Sequence, residues 1–217
     1  PDWRDPQTFT IMGRPRLFVA IGSGAMDSMV NHYTAAKKIR RDDAYSPGGK
    51  AGKRPNRALI SYTAAAKAAF PGIFVVIGGI EASLRRLAHY DYWDDKVRRS
   101  LLFDSKADLL VYGMGEKPLL ELARRAFGGE APESMEDIPG TAIIKNAPPP
   151  TRLELPSFEE VRDSKETYNR AFRLAEEGEH PCADQTLCQR HGNRWLVVNP
   201  PAPALTTKEI DAIYDLP

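Results

Sequence analysis

Three stretches decide the fold: LFVAIGSG at residues 17–24, IFVVIGG at 73–79 and LLVYGMGE at 109–116. Each is a short apolar run, rich in β-branched residues, that ends in a glycine turn. A run without polar alternation is the pattern of a strand covered on both faces, as in a parallel sheet. A glycine directly after it lets the backbone turn tightly and come close to another chain or a ligand. In open α/β sheets, ligands collect at the carboxyl ends of the strands. The triplet therefore predicts one crevice. Its expected lining is Gly22, Ser23, Gly24 and Asp27 from the first turn, Gly78, Gly79 and Glu81 from the second, and Gly113, Gly115 and Glu116 from the third.

Between these runs the apolar spacing changes to that of helices. Met26, Met29, Val30, Tyr33 and Ala36 recur at three to four, which predicts a helix over 25–38. An alanine-rich helix is expected over 57–70, closed by Pro71-Gly72, with others over 81–89 and 117–127. Residues 90–105 read as a further helix or an ordered loop. Repeated strand, turn and helix imply right-handed crossovers and a parallel sheet. One more strand is expected at 142–145, and the Pro148–Pro150 run after it is a stiff, extended break. Beyond the break we expect a charged helix over 157–177, then a β-hairpin over 187–198 turning at Gly192-Asn193. A capping box, Thr206 with Glu209, opens a final short helix.

The chain has 217 residues and a formal net charge of +1. Near-balanced charge gives no global field directing it to nucleic acid or membrane, and no stretch reaches the ~20 apolar residues of a membrane span. There is no signal peptide, and both ends read as cuts within a longer protein. Two cysteines, Cys182 and Cys188, are too few for a disulfide framework and suit a reducing cytoplasm. With His180 or His191 they lack zinc-site spacing, so no metal ligands are assigned.

The chemistry-bearing residues allow bland and functional readings side by side. The turn at Gly22 carries Asp27 where a dinucleotide fingerprint needs a small residue, which argues against NAD. Glu116 is either an acid favoured by a helix dipole or a carboxylate aimed into the crevice. His89 and Asp91, inside HYDYWDD (89–95), form either a structural network or an acid–base pair. Residues 37–57 hold eight basic and two acidic residues. Within them Lys50, Lys53, Arg54 and Arg57 are candidates for an anion, although the segment is not a Walker A loop.

Three blocks carry a resemblance over nearly the whole chain: GSGAMDSMVNHYTAAKKIRRDDAYSPGG, VIGGIEASLRRLAHYDYWDDKVRRS and ADLLVYGMGEKPLLELARR. They resemble the amino-terminal region of YgiQ-type radical SAM proteins, and LPSFEEV and QRHGNRWLVVNPPAPALTTKEIDAIYDLP look like the stretch before that family's catalytic core. The resemblance implies an α/β, Rossmann-like domain over 1–146, of cobalamin-domain or flavodoxin-like type, lacking its first strand–helix unit. It implies a helix and β-hairpin extension over 147–199, then a lead-in over 200–217 to a radical SAM barrel. The parent would use a 4Fe–4S cluster and S-adenosylmethionine. This chain lacks the family's C-x₃-C-x₂-C, and lacks the cobalamin motif D-x-H-x-x-G, so no cofactor is assigned to it.

The expectation is an accessory domain, inactive alone, that covers the catalytic barrel of the same cytoplasmic polypeptide and helps bind an unknown substrate. The alternatives are a non-catalytic module binding RNA or an anion through residues 37–57, and a free-standing nucleotide-binding enzyme.

Overall fold

The computed structural model describes residues 1–150, 152–178 and 185–216. Cys182 and His180 lie outside them. The elements run β1 (Val19–Gly22), α1 (Ser28–His32), α2 (Ala58–Ala69), β2 (Val75–Gly78), α3 (Ile80–Leu84), β3 (His89–Asp91), β4 (Lys96–Arg98), α4 (Leu101–Ser105), β5 (Leu109–Val111) and α5 (Glu116–Phe127). Then follow β6 (Thr141–Lys145), β7 (Leu153–Leu155), α6 (Phe158–Asp163), α7 (Lys165–Gly178), β8 (Leu187–His191), β9 (Arg194–Val198) and α8 (Thr207–Tyr214).

Among the described residues, seven strands form one mixed sheet in the order β1-β2-β5-β6-β9-β8-β7, and β3 and β4 make a separate two-stranded ribbon. The three glycine-terminated runs are neighbours and pair in parallel, with Gly22 opposite Gly78. From β6 onward the pairing is antiparallel until β7 and β8, which are parallel. The parallel expectation therefore holds for the glycine-turn strands and fails at β6, which pairs antiparallel with β5. The physical reason is local: β5 reaches β6 through α5 and returns antiparallel, and the tight Gly192 turn then adds β8 and β9 to the same sheet.

Apolar alternation explains the two-sided core. Val75, Ile77, Leu110 and Val198 pack on one face with Leu59 of α2 and Leu102 of α4. Val76, Leu109, Val111 and Val197 pack on the other with Leu122 of α5, Met135 and Ile138.

Several expected helices are shorter. The one expected over 25–38 is confined to Ser28–His32, because Asp27 caps it at one end and Tyr33 turns extended at the other. That expected over 81–89 is Ile80–Leu84, since His89 already pairs with Arg98. Residues 90–105 are neither one helix nor a loop, but the β3–β4 ribbon followed by α4. The charged helix over 157–177 is two, broken at Ser164, whose backbone is extended. The hairpin and the Thr206 capping box stand where the sequence put them, and a second capping box, Ser157 with Glu160, opens α6.

Candidate functional site

The carboxyl ends of β1, β2 and β5 open into a cleft of about 440 Å³. It brings together Gly22, Gly78, Gly79, Gly113, Gly115 and Glu116, with Leu119 of α5 on its wall. Gly79 and Gly113 adopt φ of +85° and +66°, and a Cβ at either would project into open space. Side chains are therefore disfavoured by backbone conformation at these two positions, not by crowding. Gly78 and Gly115 are different: a Cβ would sit 3.6 Å from the Val111 carbonyl oxygen and 3.2 Å from Val111 Cγ1, respectively. Ser83, which the sequence reading missed, ties the second turn to the third. Its hydroxyl donates to the Gly79 carbonyl at 2.9 Å and accepts from Gly113 N–H at 3.1 Å. Its placement one helical turn after Gly79 was the available signal.

The remaining candidates of the first two turns lie outside this cleft. Glu81 is fully buried and accepts from the backbone N–H groups of Ser28 (3.1 Å) and Leu59 (3.3 Å). Asp27 accepts from Met29 and Val30 N–H, and pairs with Arg85. Both carboxylates thus hold helix starts beneath the crevice. Ser23 and Gly24 face the basic segment instead: the Ser23 carbonyl accepts from Arg54 Nη1 at 3.2 Å, and a Cβ on Gly24 would meet the same atom at 3.6 Å.

Two ion-paired arginines hold the basic segment, Arg54 within it and Arg57 against residues 91–94. Arg54 pairs with Asp43 at 2.9 Å. Burial opposes ionisation of Asp43, but Arg54 and Ser46 outweigh it and hold its carboxyl well below the usual range. Arg57 meets Asp91 at 2.6 Å and Asp94 at 2.9 Å. Against its burial, Arg57 keeps Asp91 below the ordinary carboxylate value, and Arg98, then Arg57, draw Asp94 down to about 2. Asp91 also accepts from Trp93 and Asp94 N–H. This is the structural-network arrangement weighed for residues 89–95. His89 is held by the Leu87 carbonyl at 3.2 Å, and burial pulls its pKa down to about 4. Lys50 lies opposite Asp42 in an isolated bridge, and Lys53 reaches the Pro47 carbonyl at 3.4 Å.

Among the described residues no group of three or more His, Cys, Asp and Glu could hold a metal ion. Cys188 is buried in the sheet, and burial pushes its thiol up to about 11. A thiol held so firmly protonated is a poor cluster ligand. The described residues do not fit an iron–sulfur cluster, and no step of such chemistry is assigned to them. No helix among them is long and apolar enough to cross a membrane.

The family described as Radical SAM N-terminal matches residues 1–217. A UPF0313 protein of Geobacter sulfurreducens is 58% identical over 220 residues, covering all of this chain and 36% of the relative. UPF0313 proteins of Rhodopseudomonas palustris and Clostridium botulinum are 46% and 48% identical, again over the whole chain and over 35% and 34% of their own lengths. No solved structure matches. The chain spans about a third of the length of the curated relatives it matches. With the match running from end to end, the chain belongs to the Radical SAM N-terminal family, the amino-terminal region of the YgiQ-type UPF0313 proteins.

Proposed function

We propose that this chain is the accessory region of a longer radical SAM protein, and that its glycine crevice is the face turned toward the catalytic part and its substrate. One observation carries the reading: the three glycine turns share a cleft on the edge where the last residues run. Gly140 N–H donates to the Pro200 carbonyl at 2.7 Å, and Lys117, beside Glu116, reaches the Ala204 carbonyl at 3.2 Å and Glu209 at 3.0 Å. Residues 200–217 then serve as the lead-in to the catalytic core. The parallel trio β1, β2 and β5 supports a Rossmann-like ancestry of cobalamin-domain or flavodoxin-like type over 1–146, with 147–199 as its extension.

In the longer protein the cluster supplies reductive cleavage of S-adenosylmethionine. This chain's residues bind, orient and exclude water. Glycine suits that task because a turn without side chains lets a partner backbone or a flat ligand approach the strand ends directly. Apolar Ile80 and Met114, both exposed, flank the opening.

Anaerobic reconstitution tests the division of labour. After desalting, this chain should retain no stoichiometric iron or sulfide, whereas the longer polypeptide should hold both. In that polypeptide, Gly79→Leu should leave iron content unchanged and lower the rate of S-adenosylmethionine consumption. A stable cluster on this chain, or an unchanged rate in the variant, would overturn the proposal.

A further inference from the structure

A second cleft, of about 420 Å³, lies between the basic segment, the end of α1 and Trp3. It is lined by Trp3, His32, Tyr33, Arg54, Asn56 and Ser61, among others. Its volume falls within the range of small-ligand sites. The basic segment that forms its walls is built, with two backbone bridges, Tyr33 to Ile39 and Asp42 to Lys50. Trp3 fastens the amino-terminal end over it, donating from its indole to the Lys53 carbonyl at 3.2 Å.

The chemistry inside is specific. Asn56 Nδ2 donates to the Tyr33 hydroxyl at 2.8 Å, so its Oδ1 faces His32 Nδ1 at 2.7 Å. An amide oxygen only accepts, so Nδ1 carries the proton and, in the neutral ring, Nε2 is an acceptor. His32 is 8% exposed, and that Nε2 is buried without a hydrogen-bond partner. A buried acceptor left unmatched is costly, which marks a place for a donor from outside the chain. Ala51 and Gly52 line the cleft, and Lys50 and Lys53 flank them in sequence. Neither lysine has an ion-pair partner among the described residues, whereas Arg54 and Arg57 are already neutralised.

We propose that this cleft binds a nucleoside phosphate, free or at the end of a single strand, with the base against Trp3, Tyr33 and His32 and the phosphate on Lys50 and Lys53. Every nucleobase offers a π face to the aromatic rings and an N–H to the His32 acceptor. Lysines without an ion-pair partner, next in sequence to residues that line the cleft, suit phosphate oxygens. An acidic peptide would satisfy the lysines but leave the rings and the acceptor without a role. The site is separate from the glycine crevice, so it stands or falls independently of the accessory-domain reading.

The test uses two probes on this chain: AMP, and a 3′-labelled oligoadenylate followed by fluorescence anisotropy. AMP should displace the oligoadenylate, and inorganic phosphate at the same concentration should not. His32→Ala should weaken both probes by about tenfold, the effect of one ligand hydrogen bond. Lys50→Ala with Lys53→Ala, both on the surface, should lower the salt slope of oligoadenylate binding by about 1.4. Tighter binding of the oligoadenylate than of AMP assigns a strand end; equal binding assigns a free nucleotide. Failure of both probes to bind overturns the proposal. So does oligoadenylate binding that AMP does not displace or that polyglutamate matches, because that is a polyanion patch only. The competition on the unmodified chain decides the matter even if His32→Ala does not fold.

Discussion

His191 sits between two phenylalanine rings, 4.5 Å from Phe103 and 5.6 Å from Phe158, with both ring nitrogens buried and unpartnered. Burial, with Arg99 nearby, pulls its pKa down to about 3. His89 behaves likewise, at about 4. Each folded value lies below the unfolded one, so the unfolded chain binds more protons as pH falls below ~6.5. Stability contributed by the neutral rings is full above that pH and is lost progressively toward the folded values. His191→Phe keeps the stacking and removes one titration. It should flatten the dependence of unfolding free energy on pH between ~6 and ~4 by about 1.4 kcal/mol per pH unit. Urea unfolding across that range reads it, and an unchanged slope would contradict the buried neutral assignment. The paired aspartates Asp43, Asp91 and Asp94 add acid sensitivity of the same sign, so only the difference between variant and parent isolates His191.

Among the elements, the link between the sheet and the last helix depends on Gly140. Its φ is +76°, and a Cβ there would come within 2.9 Å of Pro118 Cγ and 3.0 Å of Ala202 Cβ. Gly140→Ala therefore combines left-handed strain with overpacking and should cost about 2–4 kcal/mol. Chemical denaturation measures it, and a change under about 0.5 kcal/mol would mean the segment is not held as described. Asn199 secures the same corner, donating to Ile138 and Thr141, while its own carbonyl accepts from the Tyr112 hydroxyl. This corner was not legible in the sequence, because its partners are 58 to 87 residues apart. The strand-and-glycine runs were legible, since their burial is written in local composition. The same holds for the hairpin at Gly192 and the capping box at Thr206. What the sequence obscured was context. Glu81, beside a glycine turn, reads as a ligand until the start of α2 takes its second oxygen. Residues 90–105 read as a helix or an ordered loop until Asp91 is seen gathering Arg57 and Arg98.

At the scale of the molecule, the sheet divides the chain's features between two edges. The carboxyl edge of β1, β2 and β5 carries the glycine crevice, exposed Ile80, Leu84 and Met114, and the path of residues 200–206. Helix α8 buries none of its residues, and Ile210 and Tyr214 are exposed on it. The opposite edge carries a wide groove lined by Asp108, Lys106, Lys145 and the Pro148–Pro150 run. An accessory region that serves a catalytic part should present the first edge to it and leave the second in water. Amide hydrogen exchange, compared between this chain and the longer polypeptide, tests that most directly. The account predicts slower exchange at residues 79–84 and 113–116 in the longer polypeptide, with residues 106–108 and 145–147 unchanged. Protection confined to the groove at the opposite edge, with the glycine turns exchanging as fast as in this chain, would contradict it.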